Sequence, residues 1–434
     1  MSTIPQVAQA MQAVLMDKAD ELGREVGFVQ RQRKLSGSTF VQTLVFAFLA
    51  KPNASYEELS QSAAIVGTAV SPQGLEQRFT ERAARLVQQV LECAVEQVIA
   101  SRPAAIPILQ RFEGVYLRDS SVICLPTELA ETWPGVGNRC GPTAALKIQV
   151  ELNFSTGQLD GPVVQSGRTQ DQLSPFQQEE LPAGALHLAD LGYFNLERLA
   201  QDNQRGVYWI TRLKAGTAVY TTTGQRLDLA RWLKTQGEGQ LDLTVVVGAR
   251  QQLSCRLLAV RVPQEVADQR RRRLREYARK KQVPLKAETL ALAEWTLVIT
   301  NVPEDRLSLR EALILLRVRW QVELLFKLWK SHAQVDEWRS HNPWRILCEV
   351  YAKLIGVVIL HWTYLTGFWE RPNRSWFKAA LAVQKYAVAL ALALPDREAL
   401  VLVLTRLRSC LIATCRVNRR KKHPSTYQLL LDVP

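Results

Sequence analysis

The stretch Leu307–Ser331, LSLREALILLRVRWQVELLFKLWKS, constrains this chain more than any other. It holds no proline or glycine, and its length suits one helix of about seven turns at roughly 3.6 residues each. Leu315, Val318, Val322, Leu325 and Trp329 recur in steps of three and four, which predicts a buried stripe. Arg319, Glu323 and Lys330 lie beside that stripe, within roughly 40° of one another around the helix. One edge thus carries a carboxylate flanked by two cations. The plain reading is an amphipathic helix whose Arg319–Glu323 pair contributes about 0.2–0.5 kcal/mol.

Two further acids stand in unusual places upstream. Val115–Leu125 reads as a strand with Asp119 in its middle, and an acid in an apolar strand is costly unless it is paired or binds a metal. A turn or surface aspartate is the other reading. Ala144–Phe154 alternates as a second strand, Ser155-Thr156-Gly157 turns, and Gly161–Ser166 reads as a third. A helical piece is expected around Pro175–Leu181. The apolar run from Ala185 then ends at Asp190, and Gly192 permits a tight turn into a helix over Leu196–Asp202. Asp190 is therefore expected at the carboxyl end of a strand, where open α/β sheets place their chemistry. Val207–Arg212 supplies a fifth strand.

The rest of the chain reads as helical on both sides. Ser55-Tyr56-Glu57-Glu58 is a capping box for a helix to about Ile65, and Ser71-Pro72 opens a long helix towards Ile99. Leu75, Phe79, Leu86 and Val90 form the apolar side of that helix. Gln73, Gln77, Arg78, Arg82 and Arg85 are left outside, either to read DNA as part of a helix-turn-helix or simply as the wet face of a packed hairpin. Ser101–Pro107 marks a boundary. Downstream, His341-Asn342-Pro343-Trp344 starts an apolar helix to about Trp369. Pro372–Pro395 and Asp396–Arg416 hold two more, and Arg416–Lys422 forms a basic tail suited to DNA or to solubility.

Between the fifth strand and the key helix lies an interruption, Lys214 to Ala293, with β-rich pieces at Ala218–Thr222, Leu241–Gly248 and Leu253–Val262. A basic helix, Gln269–Gln282, follows them. From Arg270 to Lys281 eight of twelve residues are cationic, Arg270, Arg271, Arg272, Arg273 and Arg275 among them, and only Glu276 opposes them. Such a run is either a solvated face or a tracker of phosphates. Trp295 begins a strand-like run after it and reads by itself as a core residue.

Charge favours the nucleic-acid reading. Net charge is +14, from 55 Lys and Arg against 41 Asp and Glu, which suits a polyanionic partner, nucleic acid before an anionic membrane. The seven cysteines (Cys93, Cys124, Cys140, Cys255, Cys348, Cys410, Cys415) are scattered without a C-x-x-C. They read as reduced core residues of a cytosolic protein. Met1–Asp17 lacks the basic start and apolar run of a signal peptide, and Leu354–Trp369 is shorter than the roughly 20 residues of a membrane span. It reads as a buried helix, and no membrane partner is expected. Long repeats, a P-loop and GxGxxG are absent from the sequence.

The stretch RVRWQVELLFKLWK resembles the C-terminal signature of the DDE insertion-sequence transposases, Tyr-x2-Arg-x3-Glu-x6-Lys. Arg319, Glu323 and Lys330 match it, Trp320 follows the arginine as it often does there, and Leu316 departs from the tyrosine. DSSVICLP and HLADLGYFNLERL are similar to the blocks that carry the two aspartates of that family, and Asp119, Asp190, Glu323 is the family order. The likeness spans about residues 112 to 355.

The resemblance implies an α/β chain with an RNase H-like mixed-sheet core at 106–213 and 296–345. A β-rich insertion domain at 214–295 would interrupt it, between helical regions at 1–105 (DNA-binding) and 346–434. It also implies cut-and-paste transposition in the bacterial cytoplasm, on the nucleoid. Asp119, Asp190 and Glu323 would hold two Mg²⁺, with Mn²⁺ able to substitute. Arg319 and Lys330 would clamp phosphates of double-stranded DNA, and Trp295 would stack on a flipped base. A homodimer would pair the inverted-repeat ends and meet target DNA. Two rivals remain: a DNA-binding repressor or domesticated remnant that no longer cleaves, and a metal-dependent nuclease without strand transfer.

Overall fold

A computed structural model describes residues 3–31, 34–137, 141, 143–371 and 373–433. Met1, Cys140, Pro372 and Pro434, named above or bounding a named region, lie outside the described residues. The first helices are α1 (Thr3–Gln12), a π-type turn at Ala13–Lys18, α2 (Ala19–Glu25), α3 (Gly37–Ala50), α4 (Tyr56–Ile65), α5 (Pro72–Glu76) and α6 (Glu81–Val95). Then come β1 (Val115–Leu125), β2 (Ala144–Asn153), β3 (Leu159–Ser166), β4 (Leu186–Ala189), α7 (Leu196–Gln204), β5 (Tyr208–Arg212) and β6 (Val219–Tyr220). They are followed by α8 (Leu229–Thr235), β7 (Gln240–Val247), β8 (Leu253–Arg261), α9 (Gln264–Lys281), α10 (Ala287–Leu292) and β9 (Trp295–Thr300). The chain closes with α11 (Leu309–Val318), α12 (Trp320–Ser331), α13 (Pro343–Leu365), α14 (Trp376–Ala393), α15 (Arg397–Thr414) and α16 (Thr426–Leu431).

The result is a mixed α/β protein in which, among the described residues, nine strands pair in the order β3-β2-β1-β4-β5-β9-β8-β7-β6. β1, β4 and β5 run parallel, with Leu117 facing Leu188 and Leu188 facing Ile210. β2–β3 and the ladders from β5 through β9, β8 and β7 to β6 are antiparallel. The strands of the interruption therefore extend this order beyond β9.

Several local expectations hold for the reasons that suggested them. The Ser55 capping box is complete, with Glu58 returning to the Ser55 amide at 2.8 Å; Ser308 with Glu311, a cap not among those expectations, opens α11 in the same way. Asn342 caps α13 with Pro343 in its first turn. The stripe Leu315, Val318, Val322, Leu325 and Trp329 is buried throughout.

Other expectations are corrected. The helix expected over Leu307–Ser331 is two helices that meet at Arg319, whose φ of −50° and ψ of −34° stay helical although the hydrogen-bond ladder lapses there. No breaker residue marks the spot, so packing sets it. The long helix from Ser71 is likewise α5 and α6, because Thr80 turns extended and its side chain caps α6 at the Ala83 amide. The helical piece near Pro175 amounts to a 3-10 turn, Pro175–Gln177. The basic helix starts earlier, at Gln264.

The chain divides into two compact units. One comprises residues up to Ile106, Arg118–Phe176 and Trp320–Asp432; the other comprises Pro107–Leu117 and Gln177–Arg319, with the last residues of the chain. In the first, α13 runs through the centre against α3 and α6, and it is buried from Arg345 to Leu365. By length and composition α13 and α14 could each cross a membrane, but α13 is wholly enclosed, as a core helix is. In the second, Trp209, Val247, Leu257, Trp295 and Ile299 anchor the core. All six described cysteines are free; Cys255, Cys348 and Cys415 are buried, whereas Cys124 is exposed and so is not the core residue expected.

Candidate active site

Asp119 and Glu323 belong to the first unit. Asp119 is half-buried in β1, between the buried Leu117 and Ile123, and its Oδ1 accepts the Ser120 amide at 2.8 Å. Glu323 is half-buried in the first turn of α12, where a helix favours negative charge. Lys330 stands in the last turn, and its Nζ donates to the Val122 carbonyl at 3.0 Å. This contact ties the helix of Glu323 to the strand of Asp119.

Asp190 and Arg319 belong to the second unit. Asp190 directly follows β4, with its side chain 38% exposed, and Arg319 Nε lies 3.5 Å from its Oδ1. The guanidinium is nearly enclosed, at 8% exposure for Arg319 as a whole. Beneath β4, Asp202 on α7 is buried; Arg198 Nε stands 3.1 Å and His187 Nδ1 3.7 Å from its two oxygens. Leu316 is buried on α11 and so faces packing at the position where the signature has tyrosine.

The cationic run on α9 is not uniform. Arg270 Nη1 donates to the Trp295 carbonyl at 3.0 Å and Nη2 to Thr296 Oγ1 at 3.0 Å, and burial, then Arg212 nearby, lowers the pKa of its guanidinium. Arg271 is paired with Asp268 at 2.9 Å and with Glu294. Arg272, Arg273, Arg275, Arg279, Lys280 and Lys281 are exposed. Trp295 opens β9 at 5% exposure inside the core cluster, and the Arg261 guanidinium lies 4.8 Å from its ring centre. The same residue borders a cleft of about 910 Å³, along with Leu191, Arg212, Lys214, Arg273 and Tyr277.

The sequence reading missed the charges behind β1. Arg118 is buried against Glu151, and Asp171 receives both Ser120 and Lys147. The signal was present in β2, where Lys147 and Glu151 interrupt an apolar strand, and buried charges demand partners.

For metal binding, the three predicted acids offer only carboxylate oxygens, the donors a hard divalent cation takes. Among the described residues, no three His, Cys, Asp or Glu side chains stand together closely enough to hold an ion. The donor chemistry therefore fits.

The family model for the transposase DDE domain matches residues 111–359, and the chain belongs to that family, which implies use of a divalent metal. It is thus an enzyme of DNA transposition. Among its relatives is the transposase for insertion sequence element IS231F of Bacillus thuringiensis subsp. israelensis, 28% identical across 99% of this chain and 94% of that protein. The transposase for element IS1151 of Clostridium perfringens is 23% identical over 79% of this chain and 77% of its own length. The putative transposase InsL for element IS186A of Escherichia coli K12 is 28% identical over 40% and 46%.

Proposed function

We propose that the protein cuts and pastes a DNA element, with Asp119, Asp190 and Glu323 as ligands for two Mg²⁺ that Mn²⁺ can replace. One observation carries the reading. The parallel ladder pairs Leu117 with Leu188, and each aspartate follows its leucine by two residues, in the strand order 3-2-1-4-5. That order, with β1, β4 and β5 parallel, supports an RNase H-like core, and β6–β8 with α8–α10 answer to the insertion expected at 214–295.

When bound, the cations would supply charge stabilisation to the entering and leaving oxygens at phosphorus. The protein's own groups do the rest. The Ser120 amide orients the Asp119 carboxylate, and Arg319, held at Asp190, offers a planar fork to a DNA phosphate. Lys330 adds a second positive charge beside β1. Arg272, Arg273 and Arg275 would follow the duplex backbone, whereas Arg270 and Arg271 hold α9 in place. A stacking role for Trp295 would be exercised from the cleft it borders. Inverted-repeat ends and target DNA are the partners, paired by a homodimer, with the N-terminal region up to about residue 105 adding DNA contacts through Arg78, Arg82 and Arg85.

The test is nicking, hairpin formation and strand transfer on a labelled end fragment. Asp119→Asn, Asp190→Asn and Glu323→Gln should each abolish cleavage and leave end binding intact, because an amide cannot carry the charge the cations need. A Glu323→Gln protein that nicks normally removes the assignment. Binding without metal-dependent nicking in the native chain would establish a silent repressor, and nicking without joined products a plain nuclease.

A further inference from the structure

The strand that carries Asp119 is also gripped from its other face. Successive side chains alternate across a strand, so Arg118 and Ser120 point away from Asp119. Ser120 Oγ donates to Asp171 Oδ1 at 2.7 Å, and Lys147 Nζ sits 2.8 Å from that same oxygen. Lys147, 8% exposed on β2, donates as well to the Thr169 carbonyl at 2.7 Å. Two residues before Ser120, Arg118 is locked to Glu151 on the same strand β2.

Ser120 therefore joins two systems. Its amide donates to the Asp119 carboxylate at 2.8 Å, while its hydroxyl is held by Asp171. An amide orients a carboxylate only as well as its own peptide plane is held, and the hydroxyl bond restrains that plane. Asp171 is in turn fixed by Lys147, so the chain of contacts runs from β2 through Asp171 and Ser120 to Asp119. Outer partners of this kind set the orientation and basicity of a metal ligand.

We propose that Asp171 and Lys147, acting through Ser120, are positioning residues that preset the Asp119 carboxylate for a divalent cation. The inference rests on the reading of Asp119 as a metal ligand. Because Asp171 does not touch the cation, its loss should weaken metal binding without removing the chemistry.

The experiment measures Mn²⁺ binding to the full chain without DNA, from the electron paramagnetic resonance signal of free Mn²⁺. Ser120→Ala and Asp171→Ala should each weaken binding about 10- to 100-fold. Ser120→Thr, which keeps the hydroxyl, should return it to near the native value. In nicking assays the Mn²⁺ concentration for half-maximal rate should rise while the rate at saturation changes little, and metal-free end binding should not move. Ser120→Ala removes one oxygen atom and decides the matter even where Asp171→Ala fails to fold. If it melts at the native temperature and binds Mn²⁺ as tightly as the native chain, the inference is overturned. Asp119→Asn separates the two claims: if it abolishes binding while Ser120→Ala does not, only the positioning role falls. If Asp119→Asn binds normally, the ligand assignment fails and the inference with it.

Discussion

Replacing Trp295 by alanine tests what this ring does, because packing and base stacking predict different losses. Trp295 is 5% exposed in a cluster with Trp209, Leu257, Ile299 and Cys255, and its ring carries the Arg261 guanidinium at 4.8 Å. Removing a buried tryptophan costs about 3–5 kcal/mol, and the lost cation–π contact adds about 0.5–1 kcal/mol. Cys255 reports on the same cluster, since burial raises the pKa of its thiol to about 12 and alkylation must wait for local opening. At about 1.4 kcal/mol per factor of ten, a loss of 3–5 kcal/mol speeds Cys255 labelling by roughly 150-fold to several-thousandfold. The assay is mass spectrometry of the Cys255 peptide after timed alkylation, with Trp295→Phe beside it. If labelling in Trp295→Ala stays within about threefold of native, the packing argument is refuted. Stacking makes a separate claim. At about 1–3 kcal/mol per stacked base, hairpin formation should fall roughly fivefold to 150-fold in Trp295→Ala, with the first nick spared. An unchanged ratio of nick to hairpin leaves Trp295 as core alone.

Replacing Arg272, Arg273, Arg275 and Arg279 by Gln should flatten the salt dependence of DNA binding by roughly 0.9 per lost phosphate contact, measured as the slope of log affinity against log salt. Arg271→Gln should instead lower the melting temperature and leave that slope alone, because its charge is spent on Asp268 and Glu294. His361 is buried, its Nε2 lies 2.6 Å from the Gly157 carbonyl, and burial depresses its pKa to about 4. The unfolded chain takes up this proton near pH 6.5 and the folded one only near pH 4, so stability falls as pH drops through that window. The loss is about 2 kcal/mol between pH 7.5 and 5, and it should vanish in His361→Gln, as denaturant unfolding at the two pH values will show. Lys353 is enclosed with Glu349 at 2.9 Å and also donates to the Gln334 and Glu337 carbonyls just after α12. Lys353→Met should cost about 3–5 kcal/mol in denaturant unfolding, since the buried Glu349 then keeps only Arg345, 3.9 Å away, as a cationic partner.

Much of the fold was legible in order along the chain. Period-two alternation marks β1 and β2, a serine three residues before a glutamate marks the starts of α4 and α11, and the seam from Leu315 to Trp329 marks a buried face. These signals are local, because pleat, cap and helical repeat act over a few residues. Asp119 and Asp190 could be picked out as candidates for the same reason, since an acid inside an apolar strand or at a strand end is conspicuous where it stands, whereas Glu323 came forward through the signature it shares with Arg319 and Lys330. What only the tertiary structure decided depends on residues far apart in sequence. The break at Arg319 has no breaker residue, and Arg319 there reaches Asp190. The sorting of eight like cations into exposed ones and two that brace β9 and Glu294 turns on where α9 lands. The partnership of Ser120 with Asp171 and Lys147 turns on β2 and the turn after β3 returning to β1. Charge alone cannot say which cation will meet a carbonyl and which will meet water, because that choice is made by burial, and burial is a property of the folded chain.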